Sequence, residues 1–351
     1  MKEATVIGLM SGSSLDGLDI ALVRFRYDDN HYDFSIVDAD TLPYPNEWKR
    51  QLANAFNKQP NELFDLDKTY GHYLGEQVKQ FATTHHVKPD FVASHGHTIF
   101  HKPEQHYTLQ IGNGQALANA CGFTVVNDFR TEDVMKGGQG APLVPIGDKL
   151  LFGDYEICLN IGGIANVSYD EGGKRIAYDI CIANQVLNYL ASLEGLDYDK
   201  DGALARSGEM EITLLKKLNH DPYYGMFPPK SLGREFFEAK QKDLLTGLST
   251  ADMLATFTEH IALQIALAVS VLPKGKMLIT GGGAKNKFLL ERIQARSYHQ
   301  VVVPDMQIVD YKEALVFALL GLLRMEGRTN VLASVTGAPT DSCSGKVWLP
   351  Q

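Results

Sequence analysis

Short apolar runs at residues 6–10, 20–25 and 34–41 predict three successive β-strands at the start of the chain. Helical periodicity follows over 47–57 and 62–85. Residues 91–94, 107–111 and 123–126 then read as short buried strands, with a helix over 115–120. The second half opens in the same way. Strands are predicted at 155–160, 165–169 and 175–178, with a Gly162-Gly163 turn between the first two. Helices over 184–193, 210–218 and 251–271 come next. A strand at 277–280 ends in three glycines, a helix covers 287–296, and residues 301–303 and a helix over 312–326 close the half. The two halves share a pattern, strand–glycine turn–strand–strand, and hardly any residues. This predicts two α/β domains facing each other across a cleft, each presenting its first hairpin turn. The Gly- and Pro-rich stretch 128–145 reads as an irregular boundary between them, and 221–230 as a long loop.

The length of 351 residues suffices for two cores. An apolar content of 44% fits a globular chain, and a net charge of −9 without a basic tract argues against nucleic acid as a partner. Cys121, Cys158, Cys181 and Cys343 form no CxxC pair and fit reduced thiols better than a disulfide framework or a zinc site. With no leader-like start and no apolar run long enough for a bilayer, the expectation is a soluble cytoplasmic protein without a membrane partner.

The most informative segment joins the first two strands: Gly12, Ser13, Ser14, Leu15, Asp16, Gly17, Leu18 and Asp19. Small residues let backbone N–H groups approach an anion, and two carboxylates follow at once. Amides for phosphate beside Asp16 and Asp19 for Mg²⁺, directly or through water, suit ATP-dependent phosphoryl transfer. The plainer reading is a hairpin turn; the matching Gly162-Gly163 turn favours phosphate binding. No Walker A or His-Arg-Asp motif occurs, which excludes a P-loop NTPase and a protein kinase. Gly281, Gly282, Gly283 and Asn286 sit between a strand and a helix, where a phosphate site and a plain turn are both open. Asp179 fits a general base or a helix cap. His95, His97 and His101 fit the lining of a sugar pocket better than a zinc site. Asp128 and Arg130 could bind sugar hydroxyls or a carboxylate, or pair with each other. Glu313 suits the first turn of a helix, and Leu15, Leu18, Leu315 and Phe317 suit a core.

These segments resemble the anhydro-N-acetylmuramic acid kinases of the sugar kinase, heat-shock protein and actin superfamily, over nearly the whole chain. The resemblance rests on residues 8–19, 94–98 (His97 standing where Gln is usual), 110–113, 126–130, 137–145, 159–166, 233–235, 281–286 and 335–338. It implies two ribonuclease H-like α/β domains, drawn here as 1–128 plus about 331–351, and 129–330. It further implies a homodimer that uses ATP and Mg²⁺ to open 1,6-anhydro-N-acetylmuramic acid with water and phosphorylate O6, a step of cell-wall recycling. Asp179 aligns with the general base of the family's Asp-Thr-Gly-Pro-Gly-Asn motif. The implied sugar contacts are His97, Thr98, Asp128, Arg130, Asn184 and Glu313. The motif here reads Asp179-Ile180-Cys181-Ile182-Ala183-Asn184, with apolar bulk in place of both glycines and the proline. That change leaves a related amino sugar or anhydrosugar as an alternative substrate, and a non-catalytic sugar-binding relative as an alternative class.

Overall fold

The computed structural model describes residues 1–12, 15–29, 31–233 and 235–351. The chain divides into two compact units, Met1–Leu151 with Tyr311–Gln351, and Phe152–Asp310.

Unit 1 opens with β1 (Lys2–Ser11), β2 (Gly17–Tyr27) and β3 (Tyr32–Pro43), an antiparallel meander. The helices α1 (Asn46–Ala53) and α2 (Pro60–Thr84) lead to β4 (Phe91–Ser94), which lies parallel to β1. A small separate sheet pairs β5 (His97–Lys102) with β6 (Tyr107–Ile111); then come α3 (Gly114–Cys121), β7 (Val125–Asn127), α4 (Thr131–Met135) and α5 (Val144–Leu151). In Unit 2, β8 (Ile157–Ile161), β9 (Ile164–Glu171) and β10 (Lys174–Ile182) repeat the meander. They are followed by α6 (Asn184–Ser192), α7 (Ala203–Ser207), α8 (Ile212–Asn219), α9 (Thr250–Val269), β11 (Lys276–Thr280), α10 (Lys287–Arg296) and β12 (Gln300–Val302). The chain returns to Unit 1 along α11 (Met306–Met325), with α12 (Ala333–Thr336) and the edge strand β13 (Lys346–Trp348) at the end.

The sheet orders are β13-β7-β4-β1-β2-β3 and β10-β9-β8-β11-β12. Each unit therefore has an antiparallel meander continued by two parallel strands, the ribonuclease H-like arrangement expected from the sequence. The central strands are buried on both faces, so they read as unbroken apolar runs: Val6, Ile7 and Leu9 of β1 and Ile157, Cys158 and Leu159 of β8 are at most 2% exposed. One face of the Unit 1 sheet takes α2 and α3 through Tyr70, Leu74, Val78 and Leu117. On α11, Ala314 presses so close to Gly8 that a Cβ there would stand 2.0 Å from its carbonyl oxygen. In Unit 2, α9 is buried nearly all round and packs the sheet with α6, α8 and α10. Its buried Glu259 carboxylate is held by Arg292 and Arg296 of α10.

Three expectations are corrected. The stretch 128–145 is not irregular throughout, since it contains α4 and the start of α5; Pro145 is tolerated in the first turn of α5, where its missing N–H has no helical partner to serve. The units divide at 151/152 and 310/311 rather than at 128/129 and 330/331. The reason is packing: Gly147 of α5 lies against Val316 of α11, and the buried Lys312 ammonium meets Asp148 at 2.6 Å. Finally, the loop 221–230 contains a short 3₁₀ turn, Pro222–Gly225.

Candidate active site

In Unit 1 the turn after β1 places Gly12, Leu15 and Asp16 between β1 and β2; Ser13 and Ser14 lie outside the described residues. Leu15 sits at φ 60°, left-handed backbone that a branched side chain rarely adopts, and its amide donates to the Gly12 carbonyl at 3.4 Å. Asp16 is exposed. Gly17, Leu18 and Asp19 belong to β2. The Leu18 side chain is buried in the core, and a Cβ on Gly17 would strike the Leu42 carbonyl at 2.6 Å. These two residues therefore support the turn from inside the sheet. Asp19 accepts a hydrogen bond from Thr41 Oγ1 at 2.7 Å.

Two polar clusters surround that turn. In the first, Ser11 Oγ lies 2.9 Å from His97 Nδ1 and accepts from the Tyr44 hydroxyl at 2.8 Å; that hydroxyl is 2.6 Å from the Tyr70 hydroxyl. Burial pushes the His97 imidazole down to about 4, so the ring is neutral near pH 7. Thr98 is exposed and takes a long contact from Gln110 Nε2, 3.4 Å.

In the second cluster, Arg130 donates through Nε to His95 Nε2 at 3.0 Å and through NH1 to the Gly140 carbonyl at 2.6 Å. Burial lowers the guanidinium to about 10, and the Glu313 carboxylate opposes that shift. Glu313 itself is raised, first by desolvation and then by the Asp19 charge, with Arg130 and Lys312 pulling it back. Asp128, at φ 59°, pairs with Lys346 at 2.9 Å, so the pairing of Asp128 with Arg130 does not form. The zinc reading of the three histidines loses its footing here. His95 spends Nδ1 on the Gly96 carbonyl and Nε2 on Arg130, and His101 Nδ1 meets Thr108 Oγ1 at 3.0 Å. Among the described residues no group of three His, Cys, Asp or Glu could hold a metal ion.

In Unit 2 the tight turn Gly162-Gly163 joins β8 to β9. Its carbonyls accept from the amides of Ala183, Asn184 and Gln185 at 2.8–3.2 Å, which docks the start of α6 on the turn. A Cβ on Gly162 or Gly163 would meet no atom closer than 3.5 Å, so space remains for a ligand against the backbone. Asn184 Nδ2 donates to the Ile161 carbonyl at 3.0 Å. After β11, Gly281 takes φ +80°, and Cβ atoms on Gly281 and Gly283 would clash with Asn160 Oδ1 at 2.7 Å and Ile161 Cγ2 at 2.2 Å. Glycine lets this second turn lie on the end of β8, beside Gly162. Gly282 is the roomier of the three, with Asn184 Nδ2 at 3.4 Å from its Cβ position. Asn286 caps α10, its Oδ1 accepting from the Leu289 amide at 3.0 Å.

Asp179 lies inside β10, opposite Asn166, with a bulge before Cys181. It caps no helix: Ala183 precedes α6. Instead the loop after α8 holds it on three sides. The Tyr223 hydroxyl donates to its carbonyl at 2.5 Å, its amide donates to the Lys230 carbonyl at 3.3 Å, and the Leu232 amide donates to Oδ2 at 2.9 Å. Burial raises the Asp179 carboxyl, and the Leu232 amide partly offsets this. Ile180, Cys181, Ile182 and Ala183 are at most 2% exposed, so the apolar residues that replace the family's glycines and proline continue the strand into the core. The contributions of Leu232, Tyr223, Tyr44 and Tyr70 were missed in the sequence. Only the neighbouring Gly233-Arg234-Glu235 segment hinted at the first, and Arg234 lies outside the described residues.

A family model described as anhydro-N-acetylmuramic acid kinase matches residues 4–350. The chain belongs to the anhydro-N-acetylmuramic acid kinase family. Relatives of that name include one from Vibrio cholerae, 35% identical over 98% of both chains, and one from Hydrogenovibrio crunogenus, 34% identical over 98% of both. Among solved structures, an ADPNP-bound activator of 2-hydroxyisocaproyl-CoA dehydratase from Clostridium difficile is 13% identical with a TM-score of 0.46, covering 90% of this chain and 93% of that one. A ROK hexokinase from Thermus thermophilus is 12% identical with a TM-score of 0.39, covering 91% and 99%. Likenesses this slight add nothing to the fold already read from the strands.

Proposed function

We propose that this chain, as a member of the anhydro-N-acetylmuramic acid kinases, uses ATP to open 1,6-anhydro-N-acetylmuramic acid with water and phosphorylate O6. The observation that carries the reading is the state of Asp179. Its carboxylate is held by one backbone amide at Oδ2, its basicity is raised by burial, and among the described residues Oδ1 takes no hydrogen bond. A carboxylate so arranged can accept a proton from water.

The anhydro bond is an acetal. Asp179 takes a proton from water as the water oxygen bonds to C1; the C1–O6 bond breaks, and O6 captures the γ-phosphoryl group as ADP leaves. O6 then never has to depart as a free alkoxide. Amides around Gly12, Gly162–Gly163 and Gly281–Gly283 suit the nucleotide's phosphates. His97, Thr98, Arg130 and Glu313 suit the sugar, the Arg130 guanidinium being apt for its carboxylate; Asp128 and Asn184 complete the proposed sugar set.

Mg²⁺ fits Asp16 and Asp19. The ion favours oxygen, keeps several waters and needs few protein ligands. Asp19 stands near enough to Glu313 for its charge to help raise that carboxyl. When bound, the ion neutralises charge on the phosphates. A homodimer rests on the family resemblance alone, and a cytoplasmic setting on cysteines that form no CxxC pair and fit reduced thiols. Among the described residues no helix is long and apolar enough to cross a membrane.

A panel of anhydrosugars and amino sugars, assayed by sugar-dependent ADP release, tests the reading. The highest kcat/KM belongs to 1,6-anhydro-N-acetylmuramic acid; preference for another sugar, or sugar binding without ADP, refutes it.

A further inference from the structure

Arg130 is gripped along one edge of its guanidinium, by His95 Nε2 on Nε and by the Gly140 carbonyl on NH1. Both partners are fixed in turn. A guanidinium only donates, and the Gly96 carbonyl 3.0 Å from His95 Nδ1 only accepts; the neutral, buried ring therefore carries its proton on Nδ1 and offers Nε2 to Arg130. The ring also lies 4.6 Å from that of Phe317. Gly140 stands at φ +64°, and its amide donates to Asp133 Oδ2 at 2.7 Å. Asp133 is fully buried, and its other oxygen accepts from Thr336 Oγ1 at 2.8 Å. The two preceding amides of the glycine loop end on the same pair: Gly138 donates to the Asp133 carbonyl at 2.9 Å, and Gln139 to the Thr336 carbonyl at 2.8 Å. One buried aspartate thus fixes the loop whose carbonyl holds Arg130. The arginine stays partly exposed, and among the described residues its NH2 makes no hydrogen bond.

We propose that Asp133 and His95 are positioning residues that aim the remaining edge of Arg130 at the carboxylate of the sugar, making Arg130 the selector for acidic over neutral sugars. Paired N–H bonds to a carboxylate need a guanidinium held in its plane. Such precision comes from supporting groups that are themselves locked, as Asp133 and His95 are. The identity of the ligand rests on the sugar-kinase reading; the hold on Arg130 does not.

The test titrates the full-length protein calorimetrically with 1,6-anhydro-N-acetylmuramic acid and with 1,6-anhydro-N-acetylglucosamine, the same bicycle without the carboxylate. The wild type binds the acidic sugar about 10–100-fold more tightly, the worth of a hydrogen bond between charged groups. Asp133→Ala cuts that preference about 5–10-fold and leaves the Kd of the neutral sugar within about three-fold. Asp133→Asn, whose amide oxygen still accepts from the Gly140 N–H, keeps most of the preference. His95→Phe retains a ring beside Phe317, removes the acceptor and also cuts the preference; it serves if Asp133→Ala does not fold. A wild type without the preference overturns the proposal, as do folded variants that keep it in full or weaken both sugars equally. A second readout needs no sugar. The Arg130 Nε–H signal of ¹⁵N-labelled protein, identified by its loss in Arg130→Lys, exchanges with water slowly in the wild type and about ten-fold faster in Asp133→Ala or His95→Phe. Binding of neither sugar refutes the kinase reading; an unchanged exchange rate in the folded variants overturns the positioning itself.

Discussion

Replacing Leu232 by proline removes the one N–H that reaches the Asp179 carboxylate, puts Cδ in its place and fixes φ there. The Leu232 amide stands 2.9 Å from Asp179 Oδ2 and opposes the desolvation that raises this carboxyl. A hydrogen bond to a charged acceptor contributes about 1.5–3 kcal/mol, and one pKa unit corresponds to about 1.4 kcal/mol. Asp179 is partly open to solvent, so water replaces some of what the amide gives and the loss falls at the low end of that range; its direction is a further rise of the carboxyl. A general base works ionised. Activity is therefore lost as pH falls through its pKa, and raising that pKa moves the acid limb of the kcat/KM profile to higher pH. Leu232→Ala is the control, since it trims the side chain that packs on the Unit 2 core but keeps the amide. The assay is the pH dependence of kcat/KM by coupled ADP release, in wild type and both variants. A proline variant that is folded and active with an unmoved acid limb refutes the reasoning, as does an alanine variant that moves the limb equally.

Other expectations follow from the same contacts. Asp179→Asn should lower kcat by about 10²–10⁴-fold, the usual size of a lost general base. It should also raise Tm near neutral pH. The folded carboxyl titrates above its ordinary 3.8, so its contribution to stability is intact below that value and lost as pH rises through the folded pKa; the gain should vanish in calorimetry at lower pH. Gly283→Ala forces a Cβ to 2.2 Å from Ile161 Cγ2 and should cost about 1–3 kcal/mol by denaturant unfolding; an unchanged midpoint would mean that the turn yields freely. Lys312→Met leaves the buried Asp148 without its cation and should cost about 3–5 kcal/mol, much of it recovered in the double variant with Asp148→Leu.

Much of this arrangement is legible in the chain because it follows from periodicity. The apolar runs of β1, β2, β8 and β9, and the glycines between them, mark two hairpins whose pattern repeats although their residues do not. What was hidden lay in contacts between residues distant in sequence. Leu232 reaches Asp179 across 53 positions, and Glu313 is near neither Asp19 nor Arg130 in the chain although both charges act on it. The boundary was misplaced for a related reason. Glycine and proline between 128 and 145 announce turns, but the buried contact of Gly147 with Val316 and the pair of Lys312 with Asp148 decide which unit that stretch joins. The segment 180–183 illustrates a third limit. Its bulk signals a departure from the family motif, and only the strand pairing of Cys181 with Ala165 and Ile182 with Ile164 reveals that the core absorbs it.

The most direct test of the central claim is the mass of the product formed from 1,6-anhydro-N-acetylmuramic acid and ATP. Hydrolytic ring opening coupled to transfer at O6 predicts a product heavier than the sugar by one water and one phosphoryl group, formed in step with ADP. A product heavier by the phosphoryl group alone would mean that the anhydro bond survives, and would contradict the role given to Asp179.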